Sequence, residues 1–159
     1  MHSTTAQTLT AQDLMTPHPI VIDGLARLRE GLATMQRHKV TAVPVVDAQQ
    51  RAIGVLSQTD IMRHLYENPE YTLLEVDYFE QDFPEGGLLE FDPNPSQDVA
   101  VVDIMTPMVF GIGPDASLAN VLEEMVTRRV QRMFVIGPEG TLLGVISSLD
   151  LLKKLKSWL

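Results

Sequence analysis

Asp13-Leu14-Met15-Thr16-Pro17 and Asp103-Ile104-Met105-Thr106-Pro107 are one phrase written twice, 90 positions apart. The same offset, with no gap, pairs Leu28 with Leu118, Leu32 with Leu122, Met35 with Met125 and Val40 with Val130. It continues through Val45 and Val135, Gly54-Val55 and Gly144-Val145, Ser57 and Ser147, and Asp60 and Asp150. A single register held over roughly fifty residues marks a duplicated supersecondary unit. The chain therefore divides into a tail (1–9), a first repeat (10–64), an intervening segment (65–96) and a second repeat with its closing helix (97–159).

Each repeat carries the same local signals. Thr10 in the first copy and Ser96 in the second are placed to cap a short helix, which the proline of Met-Thr-Pro then prevents from continuing. A short extended piece follows at Pro19–Ile22 or Val109–Ile112. Leu25, Leu28, Leu32 and Met35 recur at helical spacing, as do Leu118, Val121, Leu122, Met125 and Val126. Val40–Val46 and Val130–Ile136 are apolar, β-branched runs that read as strands. Asp47–Gln50 and Gly137–Gly140 read as turns, and Ala52–Leu56 and Leu142–Ile146 as second strands running into closing helices. The order in each copy is helix, strand, helix, strand, strand, helix. This is an α/β (α+β) pattern: a small mixed sheet with flanking helices, occurring twice. A unit this small cannot hide both faces of its sheet, so the two are expected to pack together about a pseudo-twofold axis.

Composition excludes several classes. With 45% hydrophobic and 21% charged residues the chain can bury a core. It has no cysteine, which removes disulfides, zinc thiolates and a thiol nucleophile. No apolar run reaches the ~18 residues of a membrane span, and Met1–Thr10 lacks the build of a secretory signal, so a cytoplasmic location is expected. The net charge of -9 is not spread evenly. Residues 62–100 hold ten of the 21 acids and one of the 12 Lys and Arg, leaving eleven of each elsewhere. The acidity thus belongs to one segment, and nothing favours nucleic-acid binding. That segment also carries Tyr66, Tyr71, Tyr78, Phe79, Phe83 and Phe91, more aromatics than a plain linker needs. Thr72–Phe79 is expected to be partly helical and Pro84–Pro95 irregular, with the aromatics docked on the repeats or on a second subunit.

The chemistry-bearing motif is Ser57-Gln58-Thr59-Asp60, repeated as Ser147-Ser148-Leu149-Asp150. A serine three residues before an acid, ahead of an apolar helix, is a capping box. The same arrangement suits a nucleotide. Backbone N–H groups and the helix dipole favour phosphate, the serine hydroxyl can donate to it, and the carboxylate can accept from ribose hydroxyls. His2, His18, His38 and His64 are scattered without ligand spacing, so neither a metal site nor a catalytic imidazole is indicated. With no nucleophile–base pair and no Walker-type loop, an enzyme is not expected. Most of the methionines fit core gaps. Lys153, Lys154 and Lys156 suit a helix C-terminus, and Trp158 a packing or dimer contact.

Taken in order, Asp-Leu-Met-Thr-Pro, the helix to Val40-Thr41-Ala42-Val43-Pro44-Val45-Val46-Asp47 and Gly54-Val55-Leu56-Ser57-Gln58-Thr59-Asp60 resemble the cystathionine-β-synthase (CBS) domain. So do Asp-Ile-Met-Thr-Pro, Arg129-Val130-Gln131-Arg132-Met133-Phe134-Val135-Ile136 and Gly144-Val145-Ile146-Ser147-Ser148-Leu149-Asp150. The chain as a whole resembles a stand-alone tandem CBS pair, the Bateman module. The resemblance implies that the acid holds a ribose and the serine lies near a phosphate, in clefts between the copies. One site would use Thr16, Ile20, Val43, Pro44, Ser57, Thr59 and Asp60. Its twin would use Thr106, Phe110, Met133, Phe134, Ser147, Ser148 and Asp150. In such modules basic residues at the strand entry reach phosphate. Here Arg132 suits that role, while the first copy has Ala42 in its place. Arg128 and Arg129 read as a solvated helix end.

The resemblance therefore implies a non-enzymatic, ligand-sensing regulatory module. It would bind AMP, ADP, ATP or S-adenosylmethionine as effector, need no catalytic cofactor, and pass the change to a regulated protein whose identity the sequence leaves unknown. It also suggests a homodimer. The competing expectation is a ligand-independent dimeric scaffold whose acidic segment binds a partner.

Overall fold

The structure is a computed structural model and describes residues 9–68 and 99–159. Most of the acidic segment, including Thr72–Phe79, Pro84–Pro95 and Ser96, lies outside the described residues. In chain order the first half holds α1 (Ala11–Leu14), β1 (Thr16–Pro17), β2 (Ile22–Asp23), α2 (Leu28–His38), β3 (Ala42–Val46), β4 (Ala52–Ser57) and α3 (Gln58–Glu67). The second holds α4 (Val101–Ile104), β5 (Gly111–Ile112), α5 (Leu118–Arg128), β6 (Arg132–Ile136), β7 (Leu142–Ser147) and α6 (Ser148–Lys156). This is a mixed α+β fold with two small sheets flanked by helices. The helix after each extended piece ends on a left-handed residue at the same repeat position, Lys39 (φ 52°) and Arg129 (φ 55°). In both copies this left-handed turn stops the helix and feeds the next strand.

The two compact units are not the two continuous repeats. One is built from residues 9–19, Gln49–Ala52 and Val109–Leu159; the other from Ile20–Ala48, 53–68 and 99–108. The short helix and Met-Thr-Pro segment of each repeat therefore belong with the sheet of the other repeat. In the first unit β1 runs antiparallel to β7, with Thr16 opposite Val145 and Pro17 opposite Gly144, and the sheet order is β1-β7-β6-β5. Its α1 is docked through the backbone: Ala11 N donates to Ala116 O (2.8 Å), and Leu118 N donates to Leu9 O (2.9 Å). In the second unit the sheet order is β2-β3-β4, and Thr106 bridges Val55 at the β4 edge through a reciprocal pair of bonds (3.0 and 2.9 Å). Its α4 is docked in the same way, Val101 N to Ala26 O and Leu28 N to Val99 O, both 2.8 Å.

Each unit buries its own apolar cluster. Ala11, Leu14, Val121, Met125, Met133, Val135 and Ile146 form one. Ile22, Leu28, Met35, Val43, Val45, Leu56, Ile61, Leu65 and Val101 form the other. Gly144 and Gly54 explain why the Met-Thr-Pro segments can lie so close. A Cβ on Gly144 would stand 2.8 Å from Thr16 O and 2.5 Å from Met15 Sδ, and one on Gly54 2.6 Å from Thr106 O.

Two local expectations change. Leu25 precedes α2 and is 80% exposed, because Asp23 Oδ1 accepts from its N–H (2.8 Å) and holds it in a turn. Ala100, rather than Ser96, is the residue at which α4 begins. Thr10 does cap α1: its backbone N and Oγ1 both donate to Asp13 Oδ2 (2.9 and 2.8 Å). Those bonds hold the Asp13 carboxyl below its ordinary pKa.

Candidate functional site

Both Ser-x-x-Asp turns begin a helix with an extended serine as cap, Ser57 for α3 and Ser147 for α6. Asp60 Oδ2 accepts from Ser57 N (2.8 Å) and Ser57 Oγ (2.6 Å), and Ser57 Oγ accepts from Asp60 N (3.2 Å). The second turn repeats this: 2.8, 2.7 and 3.1 Å for the bonds between Ser147 and Asp150. Each serine proton is thus committed to its own carboxylate. The hydroxyl is left as an acceptor, and a donor to phosphate must come from elsewhere.

The carboxylates differ at their other oxygen. Asp60 Oδ1 accepts from Thr106 Oγ1 at 2.7 Å and lies 3.5 Å from Arg63 Nη1; the residue is 2% exposed. Asp150 is partly exposed, and among the described residues no group donates to its Oδ1. Beside it an open groove of about 390 Å3 is lined by Asp13, Leu14, Asp150, Lys153, Lys154 and Ser157. Lys153 and Lys154 line the same groove as the open carboxylate. Their spacing from Asp150, one helical turn, is visible in the sequence.

The sheet registers sort the remaining candidates. Across the first unit Thr16 is opposite Val145, Val145 opposite Phe134, and Ser147 opposite Arg132. Strand alternation puts Thr16, Phe134, Arg132 and Ser147 on one face, and Met133 with Val135 and Ile146 on the core face. Met133 is 1% exposed and Val43 likewise, so both can offer only backbone to a ligand. Pro44 alternates to the face away from that core and is partly exposed. Ile20, Thr59, Arg132 and Ser148 are exposed. Phe110 is half-buried; its carbonyl accepts from Phe134 N (2.9 Å), and the Arg128 guanidinium lies over its ring at 5.4 Å. Arg128 also pairs with Glu124 (2.6 Å), which accounts for it as a helix-end charge.

The residues assembled within each unit are therefore Ile20, Val43, Pro44, Ser57, Thr59, Asp60 and Thr106 in one, and Thr16, Phe110, Arg132, Met133, Phe134, Ser147, Ser148 and Asp150 in the other. Thr16 and Thr106 have changed places relative to the sequence grouping, because each follows its Met-Thr-Pro segment onto the other repeat's sheet. The offset alone could not show this, since the strands that receive them both read Gly-Val-x-Ser. Among the described residues no helix is long and apolar enough to cross a membrane, and no cluster of three or more His, Asp or Glu could hold a metal.

Comparison with known proteins adds the family. Residues 11–67 and 101–157 each match the model of the CBS domain. An uncharacterized protein of Methanocaldococcus jannaschii, MJ1426, is 23% identical over 154 residues, covering 86% of both chains. Among solved structures, CBSX2 in complex with AMP superposes with a TM-score of 0.68 at 20% identity, over 94% of this chain and 97% of the other. The CBS domain pair of MJ0100, in complex with 5′-methylthioadenosine and S-adenosyl-L-methionine, gives 0.66 at 15% identity, over 96% and 99%.

Proposed function

Since this chain belongs to the CBS-domain family and carries the domain twice, we propose that it is a regulatory module that binds an adenosine-containing ligand at its Ser-x-x-Asp helix starts. The ligands in view are AMP, ADP, ATP and S-adenosylmethionine, and the response is passed to a partner protein. The observation that carries this reading is Asp150, a carboxylate fixed by Ser147 at the start of α6 with its other oxygen open to a ribose hydroxyl. Arg132, opposite Ser147 on the neighbouring strand, supplies the cation for a phosphate. The relatives solved with AMP and with S-adenosylmethionine support the ligand class. A ligand can shift the module only by its differential affinity for two states, about 1.4 kcal/mol per tenfold. The module acts by binding rather than catalysis, works in the cytoplasm and pairs as a homodimer.

Isothermal titration of the full chain with AMP, ADP, ATP and S-adenosylmethionine tests the reading. Saturable heat with at least one of them is expected. Silence from all four removes the adenosyl ligand.

The scaffold reading keeps one observation in its favour. An apolar groove of about 370 Å3 runs between α5 and α6, lined by Leu118, Leu122, Val126, Leu151, Leu155 and Trp158 among others. Val126 is 75% and Trp158 57% exposed. A second copy of the chain is its proposed occupant, and this pairing is compatible with ligand binding at Asp150.

A further inference from the structure

The two carboxylates are equivalent in sequence but not in bonding. Thr106 Oγ1 donates to Asp60 Oδ1 at 2.7 Å, as a ribose hydroxyl would, and the acid is left 2% exposed. The threonine is 46 residues distant in the chain, so tertiary structure alone makes this contact. Its backbone is pinned to Val55 by two bonds, which holds the hydroxyl in place. Arg63 adds a cation 3.5 Å from the same oxygen. Thr16, the equivalent threonine, is exposed, and among the described residues no hydroxyl donates to Asp150 Oδ1. A second asymmetry has the same direction: Arg132 stands at the strand entry leading to Asp150, where the other repeat has Ala42.

We propose that Thr106 determines which repeat takes the ligand, by occupying Asp60 as an internal substitute for a sugar hydroxyl. The Asp150 site fills at low ligand concentration. The Asp60 site fills only when the Thr106 hydroxyl is displaced, because an incoming hydroxyl must replace a bond of equal kind already made in a buried setting. The inference rests on the adenosyl-binding reading, from which its test can be separated.

The test titrates the full chain and its variants with AMP and with S-adenosylmethionine. Wild type is expected to take one equivalent per chain. Asp150→Asn weakens that event at least tenfold. Thr106→Val adds a second equivalent, or tightens a weak second event at least tenfold. Thr106→Ser restores the hydroxyl and with it the wild-type stoichiometry, a reversal that a general loosening of the fold would not give. The double variant Thr106→Val with Asp60→Asn loses the gained equivalent. Two equivalents of equal affinity in wild type, or no second equivalent from Thr106→Val while the first is intact, overturns the role of Thr106 and leaves the adenosyl reading standing. Heat from Thr106→Val but none from wild type also overturns that role, because the open Asp150 site should already have filled in wild type. Silence from every variant with both compounds overturns the role of Thr106 and leaves the adenosyl reading to the titrations with ADP and ATP.

Discussion

Gly144 shows how a single residue decides whether the exchanged segment can dock. Its missing Cβ leaves room for Met15 Sδ and for the carbonyl of Thr16, the residue paired with Val145. The thioether can rotate away, but the carbonyl cannot move without breaking the β1–β7 pairing. Gly144→Ala is therefore expected to destabilise the fold by about 1–3 kcal/mol, the range for overpacking a tight interior. Urea denaturation measures it, and a change within about 0.5 kcal/mol, ordinary for an uninvolved surface site, would contradict the account. Thr106 is the corresponding case on the functional side. Its residue type is plain in the sequence and the family resemblance names it as a candidate ligand residue, but its partner is not legible there. The repeat offset assigns it to the Asp150 set, whereas the fold sets it on Asp60.

At the scale of elements, the strands and long helices were legible because each has its own periodicity. β3 and β6 are β-branched runs, and α2 and α5 carry buried residues at Leu28, Met35, Val121 and Met125. The four-residue helices α1 and α4 are different. Helices this short are not stable alone and exist where tertiary bonds hold them. Leu14 is 8% exposed and packs in the cluster with Met133, Val135 and Ile146, not with the β3 and β4 residues that follow it in its own repeat. Leu14→Ala should then cost about 2–5 kcal/mol, and the loss should be read first in the β6 and β7 amides. Val101→Ala should be read first in those of β3 and β4. Amide hydrogen exchange distinguishes the two patterns; faster exchange of β3 and β4 in Leu14→Ala would mean that α1 packs on its own repeat.

At the scale of the whole molecule, the surface of α5 and α6 carries the proposed pairing of two copies. Leu152, Leu155 and Trp158 are 60, 49 and 57% exposed, and the groove they line is apolar apart from Ser148 and Lys154. Leu152→Glu with Trp158→Glu should convert a dimer to a monomer in sedimentation equilibrium, with the far-ultraviolet spectrum unchanged; a wild-type chain already monomeric at micromolar concentration would refute the pairing. The sequence by itself determined the duplication, the order of elements, the capping boxes at Ser57 and Ser147 and the family they resemble. All of these are set by contacts within a few residues or by register along one chain. Only the tertiary structure decided which repeat each Met-Thr-Pro segment serves, and hence that Asp60 is covered by Thr106 while Asp150 has an oxygen open. The physical reason is degeneracy. Two strands with the same Gly-Val-x-Ser pattern offer the same edge and the same glycine gap, so local chemistry cannot choose between them. The choice falls to the long-range packing of Ala11, Leu14 and Val101 into the cores they complete.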